Sequence, residues 1–196
     1  MEHITTDESK FKTLYELFFK YRNVFTDIGT LLLSVIALGL MANINIPLWP
    51  VPITFQTFGV FLIAFFFGAR KGTLSIFLYL ITGLLGVAVF AKHASGYLYF
   101  LGPTAGYLIG FIPMVFVVGL LVEKGFGRNW KSVLTCMFIS EIILYICGLV
   151  WLQIYLKTSL IQTLQYGLIP FMLGDILKIL LALPLFPFLF RKGSIN

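Results

Sequence analysis

The stretch FMLGDILKILLALPLF, residues 171–186, carries two opposite charges inside an otherwise apolar run. Asp175 and Lys178 stand three residues apart, so their side chains share one face of a helix. An ionisable group near the centre of a membrane-spanning helix costs about 2.5 to 3.5 kcal/mol. The pair therefore indicates either a functional site or two charges that only neutralise each other, and the spacing alone leaves both alternatives open.

The composition around this stretch predicts a membrane protein. Of the 196 residues, 59% are hydrophobic and 11% are charged, and the mean hydropathy is +0.97. A soluble domain has about 25% charged residues, so this chain has too few to cover a surface that faces water. The net charge of +6 comes from basic residues in short predicted loops, which favours a role in membrane topology over nucleic-acid binding.

Six segments meet the requirement of about 20 mostly apolar residues for a spanning helix. They are residues 27–46, 53–69, 73–91, 104–123, 132–156 and 166–190. The sequence therefore predicts an all-α integral membrane protein with six transmembrane helices, preceded by an amphipathic arm over 1–26 and followed by a tail over 191–196. In the arm, apolar residues recur at helical spacing, which predicts a helix on the membrane surface, with a partner contact as the alternative.

The distribution of basic residues predicts the orientation of the chain. If the N-terminus is inside, the outer loops hold only Lys92 and Lys157. The inner segments then hold Lys10, Lys12, Lys20, Arg22, Arg70, Lys71, Lys124, Arg128, Lys131, Arg191 and Lys192. By the positive-inside rule, both termini are predicted to be cytoplasmic, so that the arm and the tail lie in the cytoplasm and residues 27–190 form the membrane domain.

A third ionisable group within the predicted spans is Glu141, on the fifth one. The fifth and sixth spans form an outer hairpin, so Glu141 and Lys178 are predicted to lie at a similar depth. Glu141 then either shares Lys178 or is protonated. The pair Asp175 and Lys178 lies within reach of the outer side, where Lys178 would meet an anionic substrate and Asp175 would orient it.

Signatures of catalysis are missing from the sequence. It has no G-x-S-x-G, no H-E-x-x-H and no G-x-x-x-x-G-K-[ST] motif, and neither His3 nor His93 has metal-ligand spacing. We therefore expect no enzyme activity, no metal and no cofactor. Gly102, Gly106 and Gly110 recur every four residues, which predicts close helix packing, or alternatively a turn that shapes a ligand site.

Four ordered blocks resemble the BioY family, the biotin-binding S components of energy-coupling factor transporters. The blocks are IPLWPVPITFQTFGV, FGARKGTLSIFLYLITGLLGVAVF, GPTAGYLIGF and LIPFMLGDILK, and the resemblance extends from about Ile46 to Ala182. It implies six transmembrane helices and a pocket that captures biotin from the outer side. It also implies docking on a transmembrane coupling subunit driven by two cytoplasmic ATPases, in the plasma membrane of a bacterium.

The resemblance also implies which residues bind the ligand. The block GDILK carries over Asp175 and Lys178, around the biotin carboxylate, and GPTAGY carries over Gly102, Thr104 and Tyr107. The ligand-binding set is completed by Gln56 from PVPITFQT, by Tyr145 and Trp151 from the fifth span, and by Lys92. Lys92 stands where the family has small or amide residues, so the side chain that serves the ureido ring is left open.

Small residues on the first span are the predicted docking positions for the coupling subunit. Ser34, Ala37 and Ala42 keep the family's small-residue pattern, although Leu38 and Met41 interrupt it. Two other functions fit the same features. One is an S component for a different vitamin, and the other is a membrane assembly subunit that transports nothing.

Overall fold

A computed structural model describes residues 12–19 and 23–193 of the chain. The remainder of the predicted arm (1–11 and 20–22) and the end of the predicted tail (194–196) lie outside the described residues. The helices are α1 (Leu14–Phe18), α2 (Val24–Asn43), α3 (Gln56–Leu84), α4 (Gly96–Phe100), α5 (Ala105–Glu123), α6 (Trp130–Leu156), α7 (Leu160–Gly167) and α8 (Ile169–Gly193). Two short antiparallel strands, β1 (Asn45–Ile46) and β2 (Ile53–Thr54), connect α2 to α3, and a 3-10 turn covers Ala91–His93.

The outer surface of these helices is apolar. Phe25 on α2, Phe138 on α6 and Leu173 on α8 are 85%, 67% and 71% exposed. A helix that faces water carries polar residues on its outer side, so these faces fit a lipid environment. In the described chain, five segments are long and apolar enough to cross a membrane, namely α2, α3, α5, α6 and the α7–α8 pair. The predicted helical, multi-pass membrane class is confirmed. The second and third predicted spans both fall largely in α3, which begins at Gln56 and ends at Leu84, seven residues before the predicted end of the third span.

The helix α3 reverses direction at Gly68. That residue has φ +74° and ψ −166°, a conformation that glycine adopts without steric cost. The Gln56 Nε2 atom donates a hydrogen bond of 2.7 Å to Tyr79 Oη, whereas 23 residues of straight helix would separate them by about 34 Å. Residues 56–67 and 69–84 are therefore two antiparallel arms, and the break predicted within GARKG occurs at its first residue.

One end of the bundle gathers the basic residues, and we call it the basic end. There the Lys71 ammonium lies 2.7 Å from the Asp27 carboxylate, joining α3 to the start of α2. The Glu123 carboxylate at the end of α5 accepts a hydrogen bond of 2.9 Å from the Ala69 amide, at the start of the second arm. Arg128 donates to the Lys12 carbonyl at 3.0 Å. The short helix α1 buries Leu14 and Tyr15 at this same end, through its contacts with α3 and α8.

The helix α5 lies at the centre of the bundle and packs against both α3 and α6. Close packing requires a small residue at Gly106, since a Cβ there would lie 2.5 Å from the Cys147 carbonyl oxygen of α6. Gly110 also faces Cys147, with 3.0 Å between a built Cβ and the Cys147 Cβ. The predicted close packing is thus confirmed for Gly106 and Gly110. Gly102 precedes α5 and lies in the turn after α4.

Candidate functional site

A cavity lies toward the end of the bundle opposite the basic end. Its empty volume is about 520 Å³, which includes the space at its opening. Most of its wall comes from the first halves of α3, α5 and α8 and from the middle of α6. It is lined by Val51, Pro52, Thr54, Gln56, Thr57, Ala91, Tyr99, Thr104, Tyr107, Leu108, Phe111, Glu141, Leu144, Tyr145, Phe171, Asp175 and Lys178.

Lys178 provides the positive charge of this cavity. Its side chain is 5% exposed, and its ammonium group lies 3.0 Å from Asp175 Oδ1. It also donates a hydrogen bond of 2.6 Å to the Thr57 hydroxyl, on the first turn of α3. Within the described chain these are its two acceptors, and an ammonium group has three hydrogens. The third hydrogen is therefore available to another acceptor.

Asp175 is held on both of its oxygens. While Oδ1 accepts from Lys178, Oδ2 accepts a hydrogen bond from the Tyr145 hydroxyl of α6. Asp175 and Lys178 share a face of α8 because they are three residues apart, as the sequence predicts. The carboxylate thus fixes the ammonium group in place, and Tyr145 fixes the carboxylate from a second helix.

Aromatic side chains form much of the remaining wall. The Tyr107 ring stacks on Phe171 with 6.0 Å between the centroids, and its hydroxyl donates 2.7 Å to the Gly167 carbonyl. These contacts join α5 to the junction of α7 and α8. A wall of this kind suits the apolar part of a small ligand.

Gln56 and Thr104 contribute neutral polar groups to the cavity. The Gln56 amide donates to Tyr79 Oη, and its oxygen accepts a hydrogen bond of 3.1 Å from the Thr54 hydroxyl. Tyr79 in turn donates to the Val89 carbonyl at 2.8 Å. This series of hydrogen bonds fixes the orientation of the Gln56 amide at the cavity wall.

Three predicted ligand residues lie beside the cavity and do not line it. The indole of Trp151 donates a hydrogen bond of 2.9 Å to the carbonyl of Gly102, which ties the turn before α5 to α6. Lys92 is exposed and has a left-handed backbone (φ 59°) next to Ala91, which does line the cavity. In this conformation Gly102 and Trp151 support the wall, and Lys92 is exposed beside it.

Two of the three predicted docking residues are buried in the helix bundle. Ser34 is 7% exposed and donates to the Leu31 carbonyl at 2.6 Å, and Ala42 is fully buried. Ala37 is half-buried. With Ser34 it lines an apolar groove formed by α1, α2, the first arm of α3 and the end of α8. Docking through these residues stays a prediction.

Sequence reasoning missed Thr57 as a partner of Lys178. The two residues are 121 positions apart, and no local pattern connects them. The sequence did offer one signal for Thr57, which is that it follows Gln56 in a short polar stretch just before an apolar segment. Phe111, Leu144 and Phe171 were also missed as wall residues, because apolar residues of a membrane helix all look alike in sequence.

The geometry supports binding of an organic anion. One buried ammonium group lines a cavity with aromatic walls and neutral hydrogen-bonding groups, which together suit a carboxylate attached to an apolar and a polar part. Among residues 12–19 and 23–193, no group of three or more His, Cys, Asp or Glu side chains is placed to hold a metal ion.

Comparisons with known proteins agree on one family. The family model described as BioY family matches residues 12–193. A protein of Thermotoga maritima named "Biotin transporter BioY" is 38% identical over 141 residues, covering 72% of this chain and 82% of that one. The "Probable biotin transporter BioY" of Rickettsia prowazekii is 34% identical and covers 92% of this chain and 94% of its own. A crystal structure described as the S-component for biotin from an ECF-type ABC transporter matches with TM-score 0.73 and 26% identity, over 87% of this chain and 95% of that one.

Proposed function

Because the chain belongs to the BioY family, we propose that it is the biotin-binding S component of an energy-coupling factor transporter. It captures biotin in the cavity described above and delivers it inward. The protein is a transporter component and not an enzyme. Biotin is its transported substrate, and the transport cycle needs no cofactor bound to this chain.

The buried Lys178 ammonium group is the observation that carries the choice of ligand. Biotin combines a carboxylate, a short apolar chain and a neutral ureido ring. The third ammonium hydrogen of Lys178 suits the carboxylate, since a charge-assisted hydrogen bond is about twice as strong as a neutral one. Tyr107 and Phe171 suit the apolar chain. Gln56 and Thr104, which line the same cavity, suit the ureido ring.

The two arms of α3 support a count of six membrane crossings. Each arm runs through the bundle separately, because Gly68 reverses the chain between them. Six crossings place both termini on one side, and the basic end contains Lys71, Arg128 and the last turn of α8 with Arg191 and Lys192. By the positive-inside rule this end faces the cytoplasm, so the cavity faces outward.

The partners follow from the same assignment. A transmembrane coupling subunit binds this chain within the bacterial plasma membrane, and two cytoplasmic ATPases drive the complex. Ser34, Ala37 and Ala42 of α2 are our candidates for the docking face. Since Ser34 and Ala42 are buried, docking through them requires α2 to shift relative to α1 and α3.

Ligand binding by the purified protein tests the proposal. We expect biotin to co-purify with the protein and to be identified by mass spectrometry. In calorimetric titrations, biotin should bind and a panel of other vitamins should fail to displace it. Biotin methyl ester should bind about 30-fold more weakly or worse, because losing one partner of a buried charge pair costs about 2 to 5 kcal/mol.

Each alternative predicts a different result of the same experiment. Displacement of biotin by another vitamin at lower concentration would identify an S component for that vitamin. A protein that carries no small molecule and binds none would be an assembly subunit. Equal binding of biotin and its methyl ester would contradict the pairing between Lys178 and the carboxylate.

A further inference from the structure

Glu141 is the third ionisable group of the cavity, and the contacts described so far give it no role. It lies on α6, one helical turn before Tyr145, and is 9% exposed. It lines the cavity together with Lys178 and Asp175, and it is close enough to both for their charges to act on it.

Both carboxyl oxygens of Glu141 are buried, and within residues 12–19 and 23–193 neither has a hydrogen-bond partner. Lys178, the nearby cation, is engaged with Asp175 and Thr57 instead. A buried carboxyl group without a partner is destabilising, because it loses its hydrogen bonds to water and gains none in return. Packing gives no reason to keep an acid at this position, since an apolar residue of similar size would fill the space at lower cost.

On the opposite side of Glu141, the other polar side chains of the described residues are Tyr145 and Asp175, which are hydrogen-bonded to each other. There α6 and α8 enclose an apolar groove that opens sideways, toward the lipid. Besides Glu141, Tyr145 and Asp175, the groove is lined by Phe138, Ile142, Ile146, Leu149, Leu168, Met172, Ile176 and Ile179. Apart from Tyr145 and Asp175, which line the cavity as well, the polar neighbours of Glu141 in the described chain therefore lie on the cavity side.

The net charge of the cavity indicates whether Glu141 is ionised or neutral when an anionic ligand is bound. Lys178 and Asp175 together are neutral, so an anionic ligand adds one negative charge. An ionised Glu141 would add a second, uncompensated negative charge where the low polarity of the surroundings makes repulsion strong. A neutral carboxyl group has no such repulsion and gains a hydrogen to donate.

We infer that Glu141 is a further ligand-binding residue, which acts as a neutral carboxyl group and donates a hydrogen bond to the carboxylate of bound biotin. This inference rests on the proposed function. Lys178 and Glu141 then hold the ligand carboxylate together, Lys178 by its charge and Glu141 by a hydrogen bond without charge. Asp175 keeps the position of Lys178.

Substitutions that separate charge from hydrogen bonding test the inference. Glu141→Gln keeps a neutral donor of the same shape, and we expect its biotin affinity to stay within about threefold of wild type. Glu141→Leu removes the donor, and we expect biotin to bind about 10- to 100-fold more weakly, the usual loss for a hydrogen bond to a charged group. The matched control is Ile142→Ala, on the lipid side of the same helix, which should bind as wild type does.

The methyl ester of biotin shows which end of the ligand Glu141 meets. We expect the affinity lost in Glu141→Leu to shrink severalfold when the ester replaces biotin, since an ester oxygen is a weaker acceptor than a carboxylate oxygen. An undiminished loss would place the contact at another part of the ligand and overturn the inference.

Thermal stability without ligand distinguishes a binding role from a structural one. Because Glu141 has no partner in the described chain, ligand-free Glu141→Leu should unfold at the same temperature as wild type or higher. A structural role predicts a lower unfolding temperature together with weaker binding, and that result would overturn the inference. The same holds if Glu141→Gln loses as much affinity as Glu141→Leu, which would mean that Glu141 acts as an anion.

The proposed function and this inference fail in different ways. If wild type does not bind biotin, both are wrong. If wild type binds biotin and Lys178→Ala does not, while Glu141→Leu binds as wild type, only the inference about Glu141 is wrong.

Discussion

Two clusters of a lysine, an aspartate and a tyrosine lie toward opposite ends of this bundle, and the three side chains contact each other in the same way in both. At the basic end Lys71 pairs with Asp27, which also accepts a hydrogen bond from the Tyr15 hydroxyl. At the cavity Lys178 pairs with Asp175, which also accepts from the Tyr145 hydroxyl. The lysine-to-carboxylate distances are similar, at 2.7 and 3.0 Å.

The difference between the clusters is their exposure. The side chains of Lys71 and Asp27 are 34% and 37% exposed, whereas those of Lys178 and Asp175 are 5% and 11% exposed. An exposed ion pair contributes about 0 to 1 kcal/mol, and a buried one recovers a desolvation cost of several kcal/mol only when its geometry is good. The basic-end cluster therefore fastens α1 to α2 and α3 at little cost. The cavity cluster is expensive to keep, which fits a site whose charge binds a ligand.

Among the substitutions that test this difference between the clusters, removing Lys178 should have the largest effect, and that effect should be on biotin affinity. We expect Lys178→Ala to weaken biotin binding by about 100-fold or more, because the ligand carboxylate loses its cation in a buried site. Tyr97→Ala is the control, since Tyr97 is 65% exposed and does not line the cavity. Calorimetric titration of the two purified variants measures the difference, and equal affinity in wild type and Lys178→Ala would refute the assignment of the site.

Replacing Asp175, the other member of the buried pair, should lower the stability of the protein. Asp175→Asn leaves the buried Lys178 ammonium with the Thr57 hydroxyl and an amide as partners. Glu141, if neutral as inferred above, does not replace the lost charge, and we expect a loss of about 3 to 5 kcal/mol in the free energy of unfolding. The double variant Asp175→Asn/Lys178→Met removes the stranded charge as well, so it should regain most of that stability while binding no biotin.

Unfolding in detergent, followed with and without biotin, measures both effects. If the double variant is as unstable as Asp175→Asn, the pair stabilises the fold by itself and the contrast with the basic end is wrong.

The two clusters also separate what the sequence can predict from what it cannot. Asp175 and Lys178 were predicted to pair because residues three apart on a helix share a face, which is a local property. Their partners Tyr145 and Thr57 lie 30 and 121 residues away. Tyr145 was available only through the resemblance, and Thr57 was not predicted at all, because packing of distant helices brings it to the site.

The same limit applies to the fold. Hydropathy predicted the spanning segments, since each must be apolar along its whole length. The reversal at Gly68 was predicted within a few residues because glycine and charge interrupt the apolar run there. The pairing of Asp27 with Lys71 spans 44 residues and was not predicted, and neither was the way in which Trp151 holds the Gly102 turn.

Breaking the exposed pair should have the smallest effect. Lys71→Met keeps most of the aliphatic stem over the Tyr15 ring, from which the ammonium now lies 4.5 Å. It leaves Asp27 charged but partly in water and still bonded to Tyr15. We expect a change below about 1 kcal/mol in the free energy of unfolding and no change in biotin affinity, both measured as for the cavity variants. Lys178→Met is the matched substitution at the buried pair and should lose both stability and binding. If Lys71→Met destabilised the protein as much as Lys178→Met, exposure would not be what distinguishes the clusters, and the argument that burial marks the ligand site would lose its basis.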